Sequence, residues 1–336
     1  MKTSDSFWHL VTCLSVVLAG VLYHKRAATI EAIGAYREEN LNNTRDSDPD
    51  AVVFNRVPKV GSEMFWALMD RMGKVNGFSV FSDNAEVKQN RGGENTYLPG
   101  LEARRKYYDV LTENCTKPYT YVKHINFIDF TEFGIAQPIY VNLVHHPVDR
   151  VVSWYYYHRS PWHLVKHDTA KNKTVLKDRL PPLEQLKTQW EDCVAERKPE
   201  CVYEPGNGVH SSPYGGSHVS QIAFYCGMGP ECDVFESRVA LETAKANVER
   251  WFGVVGVLEE MDKSLEVFEA YIPRYFRGVR PVYDKMMAEK TINENIFKPK
   301  TSKRVKRSLH GNFSVEIEFY EWCKQRLQRQ YLAITN

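Results

Sequence analysis

Lys59, Gly61 and Ser62 are the first residues whose types and spacing suggest chemistry. They follow a short apolar, β-branched run, Ala51-Val52-Val53-Phe54. After them, Met64, Phe65, Leu68, Met69 and Met72 recur on one helical face. Pro58 and Gly61 break the pattern in between. The unit reads as a buried strand, a tight loop and a helix with Ser62 at its N-cap, stopped by Gly73. A helix N-terminus offers unpaired backbone N–H groups and the positive end of a dipole, and Lys59 adds a full charge. Such a loop suits a phosphate or a sulfate. The competing reading is an ordinary turn with a solvated lysine. A Walker A loop does not fit, because Gly61 follows Lys59 and no glycine precedes it in the loop.

Other elements must place the remaining polar candidates. Tyr119–Lys123 reads as a strand that leads into His124, and Ile139–Val144 as a strand that leads into His145-His146-Pro147. A helix from about Asp149 to His158 follows, closed by Pro161. Phe252–Leu258 is a further buried strand. Helical spacing recurs at Leu183, Leu186, Trp190 and Val194, and again at Ala240, Ala244, Val248 and Trp251. It recurs at Met261, Leu265, Phe268 and Ile272, ended by Pro273, and from Val315 to Leu332. Residues 166–182 read as a charged surface loop and 201–220 as a long irregular one. Strands alternating with helices predict an α/β fold with a mainly parallel sheet. In such folds a ligand sits outside the carboxyl ends of the strands, where Lys59 and His145 both fall. Taken alone, His124 is more often a core histidine than a base, and Tyr155–Tyr157 more often packing than a stacking platform.

The order Pro-Lys-x-Gly-Ser after a strand resembles the 5′-phosphosulfate loop of sulfotransferases, whose donor is 3′-phosphoadenosine 5′-phosphosulfate (PAPS). VNLVHHPVDRVVSWYYYHR, residues 141–159, resembles the 3′-phosphate-binding segment of the uronyl 2-O-sulfotransferases. NRVPKVGS, HINFIDFTEFG, QIAFYCG, FGVVGVLEEM and IPRYFRG resemble that family in the same order. The likeness covers roughly residues 50–332 and is strongest to the insect Pipe-type branch, beside the heparan sulfate 2-O-sulfotransferases.

The resemblance implies a P-loop-like α/β sulfotransferase domain, a mainly parallel central sheet flanked by helices, behind an N-terminal signal anchor. It implies a Golgi enzyme that moves a sulfuryl group from PAPS to the 2-O position of a uronic acid or related sugar. The acceptor would be an anionic glycan or glycoprotein, and the enzyme a homotrimer. Carried over residue by residue, Lys59, Gly61 and Ser62 hold the 5′-phosphosulfate, with Lys59 also catalytic. His145 and Ser153 hold the 3′-phosphate. Lys298, Lys300, Thr301 and Ser302 close over the nucleotide. His124 is the catalytic base, and Arg56 and Arg159 face the acceptor. No metal is required.

Three positions depart from the family pattern. His145 stands where an arginine is usual, and histidine contacts phosphate as a cation only when protonated. Glu63 puts a carboxylate in the first helical turn, which suits the dipole but repels an anion. Val122 stands where the heparan sulfate branch has the first histidine of a His-x-His pair. A catalytically weak or dead paralogue that binds a glycan or a partner protein is therefore the competing reading. A kinase is excluded by the lack of Walker spacing.

The 336 residues carry 44 basic and 42 acidic side chains, so the net charge of +2 names no partner. Lys298 to Arg307 is locally basic, most often a solvated face, and nucleic acid is not expected. Phe7–Tyr23 is apolar and about the minimum length for a spanning helix. It reads as an uncleaved signal anchor rather than a cleaved signal peptide. That gives a cytoplasmic tail over 1–6, an anchor over 7–23, a stem over 24–50 and a lumenal domain over 51–336. Lys25 and Arg26, on the C-terminal side, weakly oppose that orientation. Sequons at Asn42, Asn114, Asn172 and Asn312 favour the lumen. So do the cysteines outside the apolar run, with two close pairs, Cys193 with Cys201 and Cys226 with Cys232. Cys115 and Cys323 are left free or paired with each other. Neither close spacing suits zinc.

Overall fold

The computed structural model describes residues 41–82, 97–160, 187–211, 218–289 and 302–335. The chain divides into a unit ending at Asn43 and a second spanning Thr44–Asn336. The expected anchor, residues 24–40 of the expected stem, Asn172, Lys298, Lys300 and Thr301 lie outside the described residues. The end of the expected stem, 48–50, belongs instead to the first strand of the domain. Among the described residues no helix is long and apolar enough to cross a membrane.

Five strands form one parallel sheet. They are β1 (Asp48–Asn55), β2 (Ser79–Ser82), β3 (Tyr119–Lys123), β4 (Pro138–Val144) and β5 (Phe252–Val257), in spatial order β2-β3-β1-β4-β5. Every pairing is parallel. β4 and β5 are buried along their whole length, which is why they read as continuous apolar runs rather than as alternation. β2 is short, half exposed and at the edge, so it carries little apolar signal.

Helices cover both faces. They are α1 (Ser62–Asn76), α2 (Leu101–Asn114), α3 (Pro147–His158), α4 (Trp190–Ala195), α5 (Ile222–Cys226), α6 (Arg238–Trp251), α7 (Met261–Tyr271), α8 (Pro273–Phe276), α9 (Val279–Ala288), α10 (Lys303–Leu309) and α11 (Ser314–Thr335). Phe54 lies opposite Val141 and Val53 opposite Tyr140, so Phe54 and Tyr140 point to opposite faces. Phe54 meets Phe65 of α1, which also packs on Phe268 of α7 and Phe276 of α8. Tyr140 instead meets Phe127 and Phe252, with Tyr225 of α5 on the same ring. A separate core joins Val148, Val151 and Val152 of α3 to Trp190, the Cys193–Cys201 pair, Leu309 and Phe313.

Several local expectations change. β1 starts at Asp48, because Asp48 N–H bonds Gln137 and draws three residues into the strand before Ala51. The N-cap of α1 is Gly61 rather than Ser62, and Gly73 does not stop the helix. The chain continues to Gly77, which at φ 72° donates its N–H to the Gly73 carbonyl. Gly73 is small because a Cβ there would sit 2.7 Å from the Phe78 carbonyl oxygen. α2, which is polar overall, and the short α9 were not expected from the sequence. Cys193–Cys201 and Cys226–Cys232 are disulfides, and Cys115 and Cys323 are free thiols. Asn312 donates its amide to the Tyr203 carbonyl at 2.7 Å, which makes it a poor glycan acceptor.

Gly73→Ala tests this packing. Alanine favours helix by about 1 kcal/mol over glycine. Here the added methyl meets rigid backbone, so a net loss on the order of 1–3 kcal/mol is expected. Urea unfolding should show a lower midpoint with an unchanged slope; a raised midpoint would contradict the contact.

Candidate active site

The carboxyl ends of all five strands lie at one edge of the sheet. β1 is followed by a return to β3 on one side, while β4 lies on the other, so the loops after β1 and β4 diverge. That divergence opens a crevice. Its floor is amide chemistry. Asn142 Nδ2 donates to the Asn55 carbonyl at 2.6 Å and to Asn55 Oδ1 at 2.9 Å. Asn55 Nδ2 donates to the Phe224 carbonyl. Both side chains are fully buried.

The loop after β1 is strained in a specific way. Lys59 has φ 64° and Gly61 φ 80°. Gly61 also lies close to β5's end, since a Cβ there would come within 2.6 Å of Leu258 Cδ1. The N-cap of α1, Gly61, has no side chain with which to bond the N–H groups of the first turn. Lys59 Nζ lies 4.0 Å from the centre of the Tyr157 ring on α3. A cation there is held over a π face while staying half exposed.

His124 is tied to the same loop. Arg56 N–H donates to the Lys123 carbonyl, and His124 Nδ1 lies 2.8 Å from the Arg56 carbonyl. A carbonyl only accepts, so Nδ1 carries the proton and Nε2 the lone pair in the neutral ring. That is the tautomer a general base needs.

Arg56 and Arg159 do not stand open to an acceptor. Arg56 is buried; its Nη2 donates to Glu63 at 2.6 Å and to Ser62 Oγ at 3.4 Å. Arg159 Nη2 donates to Glu200 at 2.9 Å, and the guanidinium lies 3.5 Å from the Tyr155 ring centre. A desolvated guanidinium needs such a partner. The same Arg56 contact draws Glu63 to one side of the helix start.

The loop after β4 is gripped from three directions. Gln221 donates to the His145 carbonyl at 3.2 Å and accepts the His145 N–H at 3.4 Å. Glu259, in the turn after β5, accepts from His145 Nδ1 at 2.8 Å and from His146 N–H at 2.9 Å. Burial alone would raise the Glu259 carboxyl, but those contacts outweigh it and hold the group down to about 2. Burial, then Glu259 beside it, pushes the Tyr320 hydroxyl up. Burial lowers His146 against the opposing pull of Asp149, which also pairs with Lys306. Ser153 lies half-buried on α3. Ser302 caps α10, its hydroxyl accepting from Val305 N–H at 3.3 Å.

Behind α3 lies Arg150, fully buried, with none of its guanidinium nitrogens hydrogen-bonded among the described residues. Glu316 is its main opposing charge. Burial pushes that carboxyl up to about 7, against the pull of Arg150. Glu316 accepts from Ser220 Oγ and from the N–H groups of Gln221 and Ile222, and so caps α5.

Lys59, Gly61, Ser62, His124 and His145 therefore share one edge of the sheet. Tyr157, Gln221, Glu259 and Tyr320 serve that edge and were not singled out from sequence. Tyr157 lay inside an aromatic run that reads as packing, and Gln221 and Glu259 inside two of the resembling segments; Tyr320 had no local signal.

The sequence profile of the sulfotransferase family matches residues 42–322, and the chain belongs to that family. It is 35% identical over 311 residues to the uronyl 2-sulfotransferase homolog pip of Drosophila melanogaster, covering 90% of this chain and 57% of that protein. It is 28% identical over 281 residues to uronyl 2-sulfotransferase of Homo sapiens, covering 83% and 62%. Heparan sulfate 2-O-sulfotransferase 1 of Mus musculus is 28% identical over 295 residues, covering 85% and 73%. The chain thus spans only 57% and 62% of the first two relatives. The crystal structure of mouse sulfotransferase SULT7A1 complexed with PAP is a remote likeness, with a TM-score of 0.41 at 12% identity over 86% of this chain and 93% of that one, too distant to carry an argument.

The electrostatics behind α3 give a stability test. His218 stacks on Trp154 at 4.9 Å, and burial, then Arg150 and His158, push it down to about 3. The folded state therefore binds fewer protons than the unfolded one between about pH 6.5 and 3. The stability this group contributes is complete above its unfolded value and is lost as pH falls. The slope is up to about 1.4 kcal/mol per pH unit. His218→Phe should be less acid-sensitive than the parent in urea unfolding at pH 7, 5.5 and 4.5. Identical pH slopes would mean that His218 is solvated.

Proposed function

We propose that this chain is a PAPS-dependent carbohydrate sulfotransferase, acting on the 2-O position of a uronic acid or related sugar in an anionic glycan. The observation that carries the reading is the loop after β1. Lys59 sits beside a helix start whose N-cap is a glycine, steadied by Tyr157, and Glu63 of the first turn is turned onto Arg56. That arrangement fits a phosphosulfate, with Lys59 and the Gly61–Ser62 backbone as its donors. His145 and Ser153 would take the 3′-phosphate, and Lys298, Lys300, Thr301 and Ser302 the nucleotide's outer face.

The chemistry follows from those placements. The acceptor hydroxyl oxygen bonds to sulfur as sulfur's bond to the phosphate oxygen breaks. His124 Nε2 takes the hydroxyl proton, its Nδ1 being held by the Arg56 carbonyl. Lys59 stabilises charge on the leaving oxygen. No step calls for a metal.

The catalytically weak glycan- or partner-binding paralogue draws support from the pairing of Arg56, Arg159 and His145 with carboxylates. Those cations offer an anionic acceptor less than free ones would. We further propose that residues 7–23 anchor the chain in the Golgi membrane with residues 51–336 in the lumen, assembled as a trimer. The relatives named for uronyl and heparan sulfate substrates, the sequons and the disulfides support that placement.

The test is transfer of radiolabelled sulfate from PAPS to a panel of uronic-acid glycans. Lys59→Ala should lower transfer at least 100-fold, and His124→Ala should do so on the order of 100-fold, with near-native melting temperatures. Parent-like transfer by Lys59→Ala would remove the phosphosulfate-loop reading. Tight glycan binding by the parent without any transfer would establish the binding-protein reading.

A further inference from the structure

His145 raises a problem that Glu259 resolves. An arginine presents fixed donors to a phosphate at any working pH, whereas an imidazole does so only when its ring is aimed and the facing nitrogen carries a proton. We propose that Glu259 is the positioning residue that lets His145 serve as the phosphate contact at the end of β4. The inference rests on the PAPS reading.

The geometry is specific. One carboxylate oxygen, Glu259 Oε1, accepts from both the His145 ring and the His146 backbone. The ring is thereby pinned to the loop that carries it and cannot swing. Gln221 fixes the same loop through both backbone groups of His145. With Nδ1 held by the carboxylate, Nε2 is the free edge of the ring, and no group among the described residues takes it. The side chain of His145 is only 15% exposed and that of Glu259 35%, so the ring is held while the carboxylate keeps part of its surface in water. The carboxylate stays ionised at any working pH.

This sets a proton balance. A ring that is neutral before binding must gain one proton at Nε2 to donate to the phosphate, and that proton comes from solvent. The resulting imidazolium lies between two negative groups, Glu259 at Nδ1 and the phosphate at Nε2. Two further titratable groups face the loop, Asp149 and Tyr320, and the Tyr320 hydroxyl hydrogen-bonds Glu259 itself. Asp149 pairs with Lys306 and lies 3.7 Å from His146 Nδ1. Tyr320 meets the His146 ring edge-on at 5.6 Å.

The test is calorimetric titration of the product nucleotide, 3′-phosphoadenosine 5′-phosphate, into the detergent-solubilised full chain. Two buffers of different ionisation enthalpy report proton uptake. The parent should bind with uptake of a fraction of a proton. Glu259→Gln should bind on the order of tenfold more weakly and lose most of the uptake. In a His145→Ala background, Glu259→Gln should change affinity little further. His145→Arg should bind without uptake. A Glu259→Gln loss that persists undiminished in the His145→Ala background would overturn the inference and leave the donor reading standing. Failure of the parent to bind the nucleotide would overturn both. Should Glu259→Gln not fold, ¹⁵N histidine spectra of the parent decide: a His145 ring still neutral in the nucleotide complex overturns the inference, and a doubly protonated ring supports it.

Discussion

The buried amide pair Asn142–Asn55 is the constraint on which the site depends. Parallel strands whose following loops diverge leave a gap at their carboxyl ends, and the sheet's own ladder stops there. The two asparagines extend that ladder with side chains. Asn142 also accepts from the Leu143 N–H with its Oδ1 at 2.8 Å, so its amide is satisfied on both sides. Asn55 passes the connection on to α5 through the Phe224 carbonyl. A buried polar network of this kind is stable only when complete, and when complete it fixes one geometry. Lys59 and His145 are then at fixed spacing because the strands that precede their loops cannot slide.

Above that floor, the electrostatic design is one of guided cations. Each basic group near the crevice has an assigned position. Lys59 rests on Tyr157, Arg56 on Glu63 and Trp66, Arg159 on Glu200 and Tyr155, and His145 on Glu259. Lys59 meets the face of a neutral ring, and Arg56, Arg159 and His145 each meet a carboxylate. An anion entering the crevice therefore meets cations whose directions are already set.

The sheet and its order of elements were readable because Ala51–Phe54 of β1 and nearly all of β4 and β5 are buried and apolar, with Asn142 the polar exception within β4. The phosphosulfate loop was readable because glycine, proline and lysine in a strand-to-helix turn are chemically conspicuous. Helix ends were not. Gly73 looks like a stop but is an interior close contact, and the true stop is the Gly77 backbone conformation. Nor were the partners of the cations legible. Glu259 lies 114 residues from His145, and the Arg159 partner lies across a loop. Charge pairing between distant segments leaves no period in the sequence. It arises from the fold, and it altered the picture of Arg56 and Arg159 most.

The last helix ties the site together across the length of the chain. α11 touches the crevice from behind at both ends of β5. Near its start, Glu316 caps α5 and so orients Gln221, which grips His145. One turn on, Tyr320 faces the His146 ring and influences Glu259. Near its end, Arg326 donates to the Phe252 carbonyl and Gln330 to the Gly253 carbonyl, fastening the first residues of β5. β5 carries Glu259 in the turn that follows it. The loop holding His145 is thus tied to the final 22-residue helix. Arg150 faces the same helix: its guanidinium, without a hydrogen-bonding partner among the described residues, has Glu316 as its main opposing charge. The charge that steadies α3 from within is therefore the same carboxylate that orders the loop above it.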